Sequence, residues 1–394
     1  MNRNRPAPAR PHALRRNARR NARRAGAAAL LAAVVAGAAA PVAAARGASG
    51  DPDPVQRRLD ALVERDGVPG ALAYDGRTTR TAGVADTGTG RPMVGAEGRY
   101  RMASNTKAFT ATAVMRLVAR GEVRLDAPAA RYVPRLAGTG ITVRHLLKQT
   151  SGLPEYLRFI DWSRAYTEEE YLALALDRPA DFEPGADWGY SNTNYLALGL
   201  LIDHVTGEDY RTHIERTLIR PLHLKDTYWP EKDEYTIRGP HARNYGIHPT
   251  DPEGGVTDVT ELPGHEFGAS GGLVTTPKDQ NAFWNALFGG RLLPGWALRA
   301  MTHDTTDVGG LDTYPKGSRY GYGVASFPLS CGGGYWGHGG DLPGDSVAGG
   351  RADRGRGTVT VYTTTWAAEG DRLADLQGAV DAALCAKGRT GNGR

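Results

Sequence analysis

Residues 102–107 read MASNTK and continue directly into AFTATAVMRLVARG, residues 108–121. Apolar side chains recur at helical spacing through the second stretch, which predicts a largely buried helix. Lys107 would then lie near the inner end of that helix, where an unpaired ammonium group is costly. That cost indicates that Lys107 has a partner or a chemical task.

Ser104 and Lys107 are three residues apart, so a helix places them on one face. Free N–H groups at the helix N-terminus would favour negative charge developing near Ser104. A serine hydroxyl becomes a good nucleophile when a neighbour accepts its proton, and a lysine whose pKa is lowered by burial can do so. The pair therefore predicts a nucleophile and a base on one rigid element. Taken alone, S-x-x-K also fits an N-capping serine beside a solvated lysine.

Two further motifs follow along the chain. WGYSNTNYLALGLLI carries Tyr190 and Asn192 just before a strongly apolar helix pattern. YWGHGGDLPGD carries His338 and Gly339 at the end of a short strand pattern, where glycines let a ligand approach the backbone closely. Each motif alone is explained by packing. Their order, S-x-x-K, then Y-x-N, then H-x-G, resembles that of the penicillin-recognising serine hydrolases, which include class C β-lactamases and secreted D-alanyl-D-alanine carboxypeptidases.

The resemblance implies roles for particular residues. Ser104 would form an acyl-enzyme, and its backbone N–H and that of Asp341 would form the oxyanion hole. The catalytic set would be Ser104, Lys107, Tyr190 and His338, with Lys107 and Tyr190 sharing proton transfer and His338 positioning Tyr190. Substrate contacts would come from Asn192, Gly339 and Asp341. The mechanism implied needs no cofactor.

Two positions depart from the carboxypeptidase pattern. Ala325 stands where those enzymes carry an arginine that binds the substrate carboxylate, and Asp341 stands where they carry a hydroxyl residue. A charged hydrogen bond contributes roughly 1.5–3 kcal/mol, so its loss weakens carboxylate binding. The departures favour a substrate that is neutral or cationic at that end. The alternative is that Asp341 points outward and another arginine, such as Arg319, serves.

The order of the segments predicts an α/β chain of the α+β type. Strand patterns occur near both ends, and helical patterns dominate residues 140–260. An antiparallel sheet flanked by N- and C-terminal helices would therefore carry an inserted, mostly helical lobe, with residues 55–394 forming one β-lactamase or DD-peptidase-like domain. GASGG, residues 268–272, offers a rival nucleophile in Ser270, but a nucleophile elbow needs a preceding strand and an immediate helix.

The N-terminal 45 residues contain nine arginines and no acidic residue, followed by a short apolar run and small residues. This predicts a secretory signal peptide at 1–45 and a linker at 46–54; an uncleaved anchor is the alternative. Without the leader the chain has 39 basic and 43 acidic side chains, a net charge of −4, which argues against nucleic-acid binding. We expect a secreted or cell-wall-associated protein, with no stable membrane insertion after cleavage.

The chain has two cysteines, Cys331 and Cys385. In an oxidising compartment they predict one disulfide, with two unrelated buried thiols as the alternative, and the resemblance also implies this disulfide. The sequence has no C-x-x-C pair and no histidines at metal-ligand spacing, so we expect no metal site.

The leading prediction is an exported D-alanyl-D-alanine carboxypeptidase acting on peptidoglycan-type stem peptides. The alternative is an esterase, amidase, D-aminopeptidase-type hydrolase or β-lactamase on the same fold, which Ala325 and Asp341 favour. The partners would be small peptide, ester or amide substrates, with β-lactams as further candidates. A non-enzymatic binding or sensor module is the alternative hypothesis outside hydrolase chemistry.

Overall fold

The computed structural model describes residues 53–262, 267–311, 313–355, 357–367 and 370–389. The predicted signal peptide and the linker as far as residue 52 lie outside the described residues. In the part that is described, no helix is both long enough and apolar enough to cross a membrane.

Helices occupy the two ends and the middle of the chain. Their bounds are α1 Pro54–Glu64, α2 Thr106–Ala119, α3 Val143–Lys148, α4 Glu168–Leu176, α5 Thr193–Thr206, α6 Tyr210–Ile214, α7 Gly268–Gly271, α8 Pro277–Phe288, α9 Gly295–His303 and α10 Gly370–Arg389.

Thirteen strands are present among the described residues. They are β1 Gly70–Tyr74, β2 Thr79–Asp86, β3 Arg91–Pro92, β4 Tyr100–Arg101, β5 Tyr245–Ile247, β6 Val256–Asp258, β7 Val274–Thr275, β8 Thr306–Asp307, β9 Arg319–Tyr320, β10 Ala325–Pro328, β11 Gly334–Leu342, β12 Asp345–Ala352 and β13 Thr358–Thr363.

Nine of these strands form one antiparallel sheet, in the order β3-β2-β1-β13-β12-β11-β10-β9-β8. The first strand, β1, pairs with both β2 and the last strand, β13, which joins both ends of the sequence in one sheet. Two short ribbons, β4-β7 and β5-β6, lie outside it. The prediction of a mixed fold built on a large antiparallel sheet with terminal helices is confirmed.

Each face of the sheet packs against a different set of helices. On one face, α1 and α10 bury Leu59 and Val380 against apolar residues of β1 and β13. On the other face, α2, α5 and α8 form the larger core with Tyr362 and Val347 of the sheet. Alternation along the strands explains this, because neighbouring residues of β13 point to opposite faces.

The region predicted to be mostly helical, residues 140–260, contains α3 to α6 before residue 220. Residues 220–260 are mainly loop and include the β5-β6 ribbon. Strand β12 has the sequence DSVAGGRA, and the sequence patterns did not indicate it. Its glycines pack backbone to backbone: a Cβ on Gly350 would lie 2.1 Å from the Trp336 carbonyl oxygen, so glycine is needed there.

The disulfide is confirmed: Cys331 and Cys385 are bonded, with their Cα atoms 5.8 Å apart. Cys331 lies in the turn between β10 and β11, and Cys385 lies in α10. The bond therefore ties the hairpin that carries His338 to the C-terminal helix.

Candidate active site

Ser104 lies on a tight turn between β4 and α2. Ala103 has φ +47°, a conformation that is unfavourable for a residue with a side chain, and a 3-10 turn over Ala103–Asn105 follows. The turn reverses the chain before α2 begins at Thr106. Ser104 is consequently presented at the wall of a pocket instead of being buried in the helix.

Lys107 is completely buried in the first turn of α2. Its Nζ donates hydrogen bonds to Ser104 Oγ at 2.9 Å, to Asn192 Oδ1 at 2.5 Å and to the Ser270 carbonyl oxygen at 2.8 Å. Burial lowers its pKa to about 7, against the opposing charge of Glu155. Lys107 is thus in contact with the Ser104 hydroxyl and close to its neutral, proton-accepting form at physiological pH.

The Y-x-N motif lies in the loop that leads into α5. Tyr190 lines the same pocket as Ser104, and the centre of its ring is 4.9 Å from Lys107 Nζ. Burial, together with neighbouring tyrosines, raises the pKa of Tyr190 well above its usual value, so its hydroxyl stays protonated. The Asn192 amide is engaged on both sides within the protein, since Oδ1 accepts from Lys107 and Nδ2 donates to Glu155 at 3.0 Å.

His338 lies on β11, on the side of the pocket facing Tyr190; the two ring centres are 6.2 Å apart. Its Nδ1 contacts the Gly339 carbonyl, which can only accept, so Nδ1 carries the proton. Nε2 therefore accepts from the Tyr320 hydroxyl at 3.2 Å. Burial and the nearby Lys107 lower the pKa of His338 to about 3, so the ring is neutral at physiological pH.

Strand β11 packs directly against the turn that carries Ser104. A Cβ on Gly340 would lie 2.6 Å from the Met102 carbonyl oxygen and 3.0 Å from the Ala103 Cβ. The second glycine of the H-G-G sequence is therefore needed for this close approach. A Cβ on Gly339, in contrast, would meet nothing closer than 3.9 Å, which leaves space for a ligand along the strand.

A pocket of about 310 Å³ brings together six of the seven predicted catalytic and substrate-binding residues. Lys107 is the exception, because it lies behind Ser104 and reaches the pocket through it. The predicted residues supply much of the polar lining of the pocket. Most of the remaining lining is aromatic or aliphatic and includes residues of α10: Tyr314, Phe327, Tyr335, Trp366, Leu373 and Leu376.

Asp341 is the acidic residue of the pocket wall. Its carboxylate accepts a hydrogen bond from the Ser346 hydroxyl on β12. The side chain opens onto the pocket, but the surrounding protein limits its hydration, and this desolvation raises its pKa to about 6. Asp341 therefore carries a negative charge at neutral pH and can contact a ligand in the pocket.

No arginine or lysine is among the described residues that line this pocket. Ala325 is buried in β10. Arg319 does not reach the pocket; its guanidinium donates to the Thr305 hydroxyl at 2.7 Å and to the Thr305 carbonyl at 3.3 Å. The alternative in which Asp341 points outward and Arg319 binds a carboxylate therefore does not match this geometry.

Ser270 does not have the environment of a nucleophile. It lies in the four-residue helix α7, is 1% exposed, and its hydroxyl donates to the Phe267 carbonyl at 2.6 Å. Strand β7 follows this helix, which is the reverse of the order that a nucleophile elbow requires. The Ser270 backbone carbonyl, instead of its hydroxyl, takes part in the site by accepting from Lys107.

Sequence reasoning missed three partners in this site: Glu155, Tyr320 and the Ser270 carbonyl. Neither Glu155 nor Ser270 belongs to one of the three motifs that carry the resemblance. Tyr320 is 18 residues from His338, and strand pairing brings them together. Across the described ranges, no group of three or more His, Cys, Asp or Glu residues could hold a metal ion.

The fold and the site together define a serine hydrolase of the β-lactamase and transpeptidase type. A family model described as Beta-lactamase matches residues 55–384. The chain therefore belongs to the beta-lactamase family.

Relatives of known structure or activity include amidases and an esterase. The chain is 30% identical to esterase EstB of Burkholderia gladioli over 307 residues, 70% of this chain and 76% of the esterase. Among solved structures, it is 33% identical to a D-stereospecific amidohydrolase from Streptomyces sp., with a TM-score of 0.71 and coverage of 83% of this chain and 98% of that one. For a D-amino acid amidase from Ochrobactrum anthropi SV3, complexed with L-phenylalanine amide, the identity is 29%, the TM-score 0.75, and the coverage 86% and 98%.

Proposed function

We propose that this protein is a serine amidase or esterase that acts through an acyl-enzyme on Ser104. Its substrates would be amides or esters that are neutral or cationic, and not anionic, at the end that meets Asp341. The observation that carries this proposal is the pocket wall, which has Asp341 and, among its described residues, no cation. A D-alanyl-D-alanine carboxypeptidase would have to bind a carboxylate beside this aspartate, where two negative charges repel.

We infer the proton transfers from the contact between Lys107 and Ser104. Neutral Lys107 accepts the Ser104 proton as Oγ attacks the carbonyl carbon and the carbonyl oxygen becomes an oxyanion. Tyr190, which stays protonated, donates a hydrogen bond in the pocket. Collapse of the tetrahedral intermediate breaks the bond to the amine or alcohol, which leaves with the proton from Lys107. Water then attacks the acyl-enzyme, and Lys107 again takes and returns the proton.

The backbone N–H groups of Ser104 and Asp341 would stabilise the oxyanion. The close packing of β11 on the Ser104 turn at Gly340 supports this role, because it holds the two segments together. One such donor typically contributes about 10²–10³ in rate. Neutral His338 and Tyr320 would keep the wall beside Tyr190 in place.

Two parts of the pocket lining support this choice of substrate. The aromatic and aliphatic walls near α10 suit an apolar group of the substrate. The Asp341 carboxylate suits an ammonium group, to which a charged hydrogen bond contributes roughly 1.5–3 kcal/mol. The amidase and esterase relatives favour the same interpretation over the carboxypeptidase.

The test compares one peptide ending in D-Ala-D-Ala with its C-terminal amide and methyl ester, together with D-phenylalanine amide, using protein without residues 1–45. We expect kcat/KM for the amide or ester to exceed that for the free carboxylate by about tenfold or more, because the described residues of the pocket offer no cation to bind the carboxylate. A preference for the free carboxylate would support the carboxypeptidase and contradict this proposal.

Replacing Asp341 by asparagine tests the charge of the pocket wall. With an amine-bearing amide we expect kcat/KM to fall about tenfold, because an ion pair is lost. With the N-acetylated amide we expect little change, since the backbone N–H is retained. In the wild type, the preference for the amine-bearing substrate should grow as pH rises through about 6, where Asp341 ionises. Equal losses on both substrates would show that Asp341 does not recognise the amine.

We also propose that the protein is exported, on the strength of the arginine-rich leader and the small residues near Ala45. N-terminal sequencing of the mature protein from the culture medium and the cell wall would test this. An intact N-terminus on cell-retained protein would contradict it.

A further inference from the structure

Glu155 is a carboxylate behind the active site that no catalytic motif includes. It lies in the loop before a 3-10 turn at Tyr156–Arg158, and its side chain accepts from the Leu157 backbone N–H at 3.1 Å. Its second oxygen accepts from the Asn192 backbone N–H at 2.7 Å and from Asn192 Nδ2 at 3.0 Å. Glu155 thus holds both the backbone and the side chain of Asn192.

These contacts decide which way the Asn192 amide points. A carboxylate can only accept hydrogen bonds, so it selects the orientation in which Nδ2 faces Glu155. The amide oxygen is then left facing Lys107, 2.5 Å from Nζ. If the amide were reversed, two donors would face each other at Lys107, and its hydrogen bond would be lost.

Glu155 also acts on Lys107 through its charge. Its carboxylate favours the protonated form of Lys107 and so opposes the effect of burial. Of the other groups around Lys107, Ser104 and Asn192 are uncharged, the rings of Tyr190 and Tyr195 lie 4.9 and 5.6 Å from Nζ, and His338 is neutral. Burial raises the pKa of Glu155 itself, while the hydrogen bonds from Asn192 and Leu157 and the charge of Lys107 oppose that rise.

We propose that Glu155 is a positioning residue for Lys107, which holds the Asn192 oxygen against its amino group and, by its charge, sets how readily Lys107 exchanges a proton with Ser104. This inference rests on the proposed function, in which Lys107 is the base for Ser104. Asn192 would then connect Glu155 to Lys107 through hydrogen bonds, in addition to the substrate contact that the resemblance implies.

Two variants separate the position of Glu155 from its charge. Glu155→Gln can keep its oxygen on Asn192 while it loses the charge. Glu155→Asp keeps the charge but is one methylene too short to hold Asn192 in the same way. The matched control is Glu169→Gln, which makes the same substitution at an exposed position on α4.

The readout is the rate at which a fluorophosphonate labels Ser104, measured from pH 5 to 9. Ser104 Oγ attacks phosphorus, fluoride leaves, and Lys107 takes the proton, so no natural substrate is needed. For Glu155→Gln we expect the acid limb of the plot of labelling rate against pH to move to lower pH, because neutral Lys107 becomes easier to form. For Glu155→Asp we expect the limb to stay near that of the wild type while the plateau falls about tenfold, as for a lost charged hydrogen bond. Glu169→Gln should match the wild type.

The proposal is overturned if the acid limb of Glu155→Gln coincides with that of the wild type. It is also overturned if Glu155→Asp labels at the wild-type plateau rate, a result that decides the matter even if the glutamine variant does not fold. Lower melting temperatures with unchanged limbs and plateaus would show a purely structural role. Failure of the proposed function is distinct, because the wild type itself would then not be labelled at Ser104.

Discussion

Replacing Ser104 by alanine is expected to lower kcat/KM by about 10⁴-fold or more, because the attacking oxygen is removed while the rest of the pocket remains. The loss should appear in kcat with every ester or amide that the wild type turns over. Substrate binding should persist, since Asp341 and the apolar wall are untouched. Steady-state kinetics of the variant, with binding measured by calorimetry, would check this.

Ser270→Ala is the matched control for this prediction. It removes the hydroxyl of a second serine but keeps the Ser270 backbone carbonyl that accepts from Lys107 Nζ. Its hydrogen bond to the Phe267 carbonyl is lost, and a neutral hydrogen bond contributes about 0.5–1.5 kcal/mol. An inactive Ser270→Ala beside an active Ser104→Ala would place the nucleophile in GASGG and contradict the mechanism.

Replacing Lys107 by methionine has the second largest expected effect. The methionine fills a similar buried space but neither accepts the Ser104 proton nor donates to Asn192. General-base catalysis typically contributes 10²–10⁴-fold, so we expect kcat/KM to fall about 10³-fold. Phosphonylation of Ser104 by a fluorophosphonate should slow to a similar extent, which separates a chemical defect from a defect in substrate binding.

The pH dependence of the wild type gives a further check on Lys107. Its pKa of about 7 means that the neutral base is populated above pH 7, so kcat/KM should rise through that value and then level off. His338, with a pKa of about 3, should add no limb between pH 5 and 9. A profile that is flat across pH 7, or a methionine variant that keeps the wild-type limb, would contradict the role of Lys107 as base.

The sequence predicted those features of the fold and site that depend on one residue or on a short local pattern. The spacing of Ser104 and Lys107 placed them on one face, and the structure joins them by a hydrogen bond of 2.9 Å. The terminal helices and most strands of the sheet followed from apolar periodicity. The two cysteines indicated their own bond, because a single pair leaves one possible disulfide.

The rest depended on contacts between distant segments. Glu155 and Asn192 are 37 residues apart in the sequence, and only the folded chain brings them together. No sequence pattern indicates a carboxylate whose role is to accept hydrogen bonds. The lack of a positively charged side chain among the described residues of the pocket wall depends on several elements together. Ala325 suggested it, but only the placement of Arg319 against Thr305 shows that this particular arginine is turned away from the wall.

The most direct test of the central claim is to identify the residue that carries the acyl group. Protein without residues 1–45 would be mixed with a slowly turned-over activated ester, quenched in acid during turnover, digested and sequenced by mass spectrometry. We predict one acyl group per chain, on Ser104, and none on the Ser104→Ala variant. An acyl group on Ser270, or turnover with no covalent adduct at any time, would contradict the acyl-enzyme mechanism proposed for this site.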